Sequence, residues 1–66
     1  MDKVVRDRVR QYLSDTAGYA NDAKNLLRRK DVNVKEVERK IAAARVMLNQ
    51  AWVDLVGMPV DIMDGI

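Results

Sequence analysis

From Asn33 to Gly57 the apolar positions recur at alternating steps of three and four. With Val34 at heptad position a, the a and d positions read Val34, Val37, Ile41, Ala44, Leu48, Ala51 and Leu55, with no polar residue among them. That spacing predicts an amphipathic helix over 34–57, written to lie against another helix. Residues 3–30 carry a second such pattern. With Val9 at a, its a and d positions are Val5, Val9, Tyr12, Thr16, Tyr19, Ala23, Leu26 and Lys30, and Leu13, Ala20 and Leu27 at e widen the stripe. Gly18 lies inside this pattern, but the period runs unbroken across it and predicts one long helix. The alternative is a break between Ser14 and Gly18, where Ser-Asp can start a turn and a glycine weakens a helix.

The ends of both helices are signalled. Asp2 is placed to cap the first. Asn33 followed by Glu36 has the capping-box spacing, and Val32 and Val37 stand where a hydrophobic staple forms. Gly57 can take the left-handed conformation that closes a helix, and Pro59 cannot continue one. A turn of only 31–33 makes the two helices antiparallel neighbours. The expected fold class is therefore all-α: a helical hairpin over 1–58 (helix 3–30, turn 31–33, helix 34–57) followed by a short C-terminal tail, 59–66.

The second helix is apolar on more than one side. Ala42, Val46, Val53 and Val56 form another line at positions b and f, extended by Ala43 and Met47, and Trp52 flanks the seam at e. One antiparallel neighbour covers one face. A hairpin alone would leave a large apolar patch, which monomers rarely tolerate. The expectation is a homodimer that closes into a four-helix bundle, its interface built from Ala42, Val46, Met47, Trp52, Val53 and Val56. Residue sizes agree: large residues at a alternate with alanines at d in the second helix, and the first helix reverses the order. In length, turn placement and this layering the chain resembles the Rop-type hairpins, small RNA-binding dimers that pair into a bundle. The chain holds no residue motif of that family, and no binding residue is carried over.

Composition narrows the chemistry. Sixty-six residues support one thin core, and a chain this short usually needs disulfides, a metal or a second chain. It has neither cysteine nor histidine, which removes disulfides, thiolate ligands, the commonest metal ligand and the commonest general base. No cofactor and no metal are expected. Asp15 and Asp22 share a helix edge one heptad apart, too far for two carboxylates to act on one atom, and nothing at a suitable spacing activates Ser14. The expected role is non-enzymatic: an adaptor or regulator acting through protein–protein contacts, with a partner taken through Trp52 or the C-terminal tail. No membrane association is expected, for want of a long apolar run, and the absence of cysteine and of a signal-like start suggests a cytoplasmic protein.

Charge supplies the alternative. Net charge is +2, yet all twelve Lys and Arg lie within residues 1–45, while 46–66 hold three Asp and no cation. Around the turn Arg28, Arg29, Lys30, Lys35 and Arg39 form a candidate phosphate-contacting surface of a dimeric DNA- or RNA-binding regulator. Asp31, Glu36 and Glu38 interleave, and Asp31–Lys35 and Glu36–Lys40 have the spacing of ordinary surface pairs.

Overall fold

In the computed structural model, which describes residues 2–57, two α-helices pack side by side: α1, Lys3–Leu26, and α2, Val34–Val56. The fold is an all-α hairpin, with no strand among the described residues. The tail 59–66 falls outside them, as does Pro59.

The caps form where the side chains permit. Asp2 accepts a hydrogen bond from the Val4 amide at 3.1 Å, and Asn33 accepts from the Glu36 amide at 3.2 Å. Only this forward half of the capping box is made; among the described residues the Asn33 amide donates no return bond to the Glu36 carboxylate. At the far end Gly57 adopts φ +67°, and its amide donates to the Val53 carbonyl at 2.7 Å. A methyl group there would meet no atom among the described residues but would be held in the left-handed region. α1 runs through Gly18 without a break, and a methyl group at Gly18 would also meet nothing. The two glycines therefore respond oppositely to alanine. Gly18→Ala should stabilise the fold by about 0.5–1 kcal/mol, and Gly57→Ala should destabilise it by about 1 kcal/mol. Urea denaturation checks both, and matching shifts in midpoint would contradict the assignment.

α1 stops at Leu26, four residues before the expected Lys30. Beyond Leu26 the hydrogen bonds tighten to the i→i+3 kind, Arg28 to Asn25 and Arg29 to Leu26, and residues 27–33 form an exposed connection. The reason lies in burial. After Leu26 the heptad offers Leu27, which faces solvent, and then Lys30, whose ammonium has no place in an apolar contact. With no buried face to propagate, helix ends at the last residue that packs.

Two cross-helix ion pairs mark the register. Arg8 Nε lies 2.7 Å from Asp54 Oδ2, and Lys40 Nζ lies 3.6 Å from Asp22 Oδ2. In both pairs the residue numbers sum to 62, so the hairpin folds about Asp31. Among the described residues four side chains are buried: Val9 and Ala23 from α1, Val37 and Ala51 from α2. Around them Val5, Tyr12, Thr16, Tyr19 and Leu26 are half-buried, which makes the contact face of α1 its a/d line. Thr16 donates its hydroxyl to the Tyr12 carbonyl at 2.8 Å, so this polar residue enters the face without an unmet donor.

The contact face of α2 is rotated from expectation. Its d residues Val37, Ala44 and Ala51 do face α1, joined on the g side by Lys40, Met47 and Asp54. The large a residues do not: Ile41, Leu48 and Leu55 are 49, 52 and 51% exposed, and Val34 is more exposed still. Alanines at d let the helices approach closely along that line. The bulkier a residues are then displaced to its flank.

Candidate functional site

The hairpin has two unlike edges, and heptad position tells them apart. The g positions of both helices line one edge: Arg8, Asp15 and Asp22 from α1, Lys40, Met47 and Asp54 from α2. Both ion pairs lie here, and Lys40 also stands over the Tyr19 ring, 5.8 Å from its centroid. The Arg8 guanidinium is held above its ordinary pKa, first by the hydrogen bond to Asp54 and then by that residue's charge. The folded-state value being the raised one, the contribution is whole at every pH below the unfolded-state value and fades only above it, in strong alkali. Titration of Arg8 therefore adds no pH dependence near neutrality.

The opposite edge is apolar and open. α1 contributes Val9 and Leu13; α2 contributes Ala42, Val46, Leu48, Trp52 and Leu55, with Arg45 and Asn49 among them and Ala51 on the floor. Together they line a groove of about 710 Å³. Asn49 Oδ1 is shielded from solvent and has no hydrogen-bond partner among the described residues, an unusual state for an amide oxygen, since buried acceptors are nearly always paired. Leu13, Ile41, Val46, Leu48, Trp52 and Leu55 are each about half exposed. At roughly 80–100 Å² for each half-exposed large side chain, they present about 500–600 Å² of apolar surface, approaching the ~800 Å² per partner of a standard interface.

The expected interface residues divide accordingly. Ala42, Val46 and Trp52 line the groove, and Val56 is exposed beside it. Met47 and Val53 are half-buried, Met47 on the ion-paired edge. Sequence reasoning assigned Ile41, Leu48 and Leu55 to the internal seam and passed over Leu13, Arg45 and Asn49. A signal for them was present: Arg45 and Trp52 at e continue the steps of four and three through Ile41, Leu48 and Leu55. Compared with protein-family models, curated proteins and solved structures, the chain matches none.

The turn-end cations are all exposed. Arg28, Arg29 and Lys30 lie in the connection, Lys35 and Arg39 in the first turns of α2. Lys40 turns away from the expected pairing with Glu36 and reaches Asp22 instead. A shallow depression of about 260 Å³ between Asn25, Arg29 and Glu36 carries both signs of charge. Elsewhere Asp15 accepts from the Gln11 amide at 3.0 Å, and Asp22 is engaged by Lys40. Among the described residues no group of three acidic or metal-ligating side chains converges, and no helix is long and apolar enough to cross a membrane.

Proposed function

We propose that the chain works as a homodimer in which the open apolar edge of one hairpin is covered by that of another, closing a four-helix bundle. The bundle acts as a non-enzymatic adaptor or regulator through protein–protein contacts. One observation carries this reading: the hairpin concentrates its large exposed apolar side chains on one edge and its cross-helix ion pairs on the other. Among the described residues the core is four buried side chains, two of them alanines, which is small for independent stability, and a second copy adds to the apolar burial available to each chain. Sedimentation equilibrium at micromolar concentration tests the proposal. The expected mass is twice the 7.5 kDa of one chain. A folded species of single-chain mass at all concentrations would overturn it.

A second reading rests on the exposure of Arg28, Arg29, Lys30, Lys35 and Arg39 at the turn: a dimer that binds DNA or RNA through two such surfaces. Binding to duplex should then fall steeply with salt. Changing Arg28, Arg29 and Lys30 to alanine should flatten that dependence by about one unit of slope for each phosphate no longer neutralised. No binding at low salt removes this reading.

A further inference from the structure

Along its open edge α2 carries a second helix–helix seam: Ile41, Arg45, Leu48, Trp52, Leu55, stepping by four, three, four and three. The seam is nearly palindromic about Leu48. Large aliphatic residues stand at both ends and the middle, a cation on one side and the chain's sole tryptophan on the other. Given the homodimer proposed above, we infer that two copies pair through α2 in antiparallel orientation, about a two-fold axis at Leu48. Leu48 then meets the partner's Leu48, Ile41 meets the partner's Leu55, and Arg45 lies on the partner's Trp52.

Three features select the antiparallel sense. In a parallel pair the seam would set Arg45 against Arg45 and Trp52 against Trp52, a like-charge contact inside an apolar interface. The antiparallel pair replaces both with two guanidinium–indole contacts. The shielded Oδ1 of Asn49 lacks a donor among the described residues, although Arg45 stands one turn before it. In the antiparallel pair the partner's Arg45 crosses close to Asn49 and can donate to that oxygen, a bond to a charged group of the stronger kind. The helix dipoles agree: opposed helices set the positive end of each beside the negative end of the other.

The chain has no cysteine, so an introduced one is the only thiol. Leu48→Cys, Ile41→Cys and Leu55→Cys each replace a half-exposed residue. Under mild oxidation Leu48→Cys should give a covalent dimer rapidly. Ile41→Cys and Leu55→Cys should each cross-link poorly alone and well when mixed, because a disulfide needs Cα atoms within about 7 Å. Self-cross-linking at 41 and 55 as fast as at 48 would establish a parallel pair. An intact dimer that cross-links at none of these sites would place the interface elsewhere. Either result overturns the inference and leaves the homodimer standing, whereas single-chain mass for the unmodified protein overturns the homodimer itself. Two readouts avoid thiols. Acrylamide quenching of Trp52 in the unmodified chain should fall as concentration drives assembly, and quenching that does not change counts against the seam. Arg45→Glu should raise the dissociation constant about tenfold or more by removing two cation–π pairs, while Arg39→Glu, the same change of charge off the seam, should not.

Discussion

Leu48→Glu is expected to yield a monomer at concentrations where the unmodified chain is a dimer. In the single hairpin Leu48 is half exposed, and glutamate is nearly as good a helix former as leucine, so the monomer loses little. In the proposed pair the two carboxylates meet at the axis. Each chain gives up part of the 1.5–3 kcal/mol that a buried leucine contributes. The two like charges also meet desolvated in an apolar contact, with Arg45 one turn away on the same seam offsetting part of the cost. Together these raise the dissociation constant by roughly two orders of magnitude or more. Sedimentation reads the mass and far-ultraviolet circular dichroism the helix, which should be partly retained. A Leu48→Glu chain that still sediments as a dimer would show that this edge is not the interface.

Ala51→Asp is expected to do the opposite kind of damage. Ala51 is 4% exposed and sits on the d line against α1. A carboxylate there has no partner inside the hairpin, and the cost of about 3–5 kcal/mol matches the whole stability that a core of this size supplies. The helical dichroism should be lost at room temperature, and raising the protein concentration should recover little of it. Two substitutions three residues apart on one helix thus separate assembly from folding. If Ala51→Asp keeps both its helix and its mass, the internal contact face has been misplaced.

The contrast between those positions also marks how far the sequence could be read. The contact face of α1 was legible as its a/d line from Val5 to Leu26, bordered by charge at g; the e residues expected to widen it, Leu13, Ala20 and Leu27, are exposed, and Lys30 lies beyond the helix. The caps were legible for a local reason: Asp2, Asn33 and Gly57 act on atoms within four residues of themselves. α2 was harder. Its apolar positions occupy several adjacent lines, so hydrophobicity alone cannot say which of them meets α1. Two other properties decide: the small size of Ala44 and Ala51, and the opposite charges that match across g, Arg8 with Asp54 and Asp22 with Lys40. Weighing size as a measure of approach distance, rather than as layering alone, would have moved Ile41, Leu48 and Leu55 off the internal seam. The end of α1 was misjudged for a related reason. Arg28, Arg29 and Lys30 are good helix formers, yet intrinsic preference does not extend a helix beyond its last packed residue.

The ion-paired edge has a consequence for stoichiometry. Cross-helix charges at Arg8–Asp54 and Asp22–Lys40 leave that side of the hairpin without an apolar line for another chain to grip. In the proposed dimer the one adhesive side joins that of a second copy face to face, and the adhesive surface is then used up. Growth of that assembly stops at two, because such a contact is self-complementary and closes on itself. In it the ion-paired edge also guards against open-ended fibres.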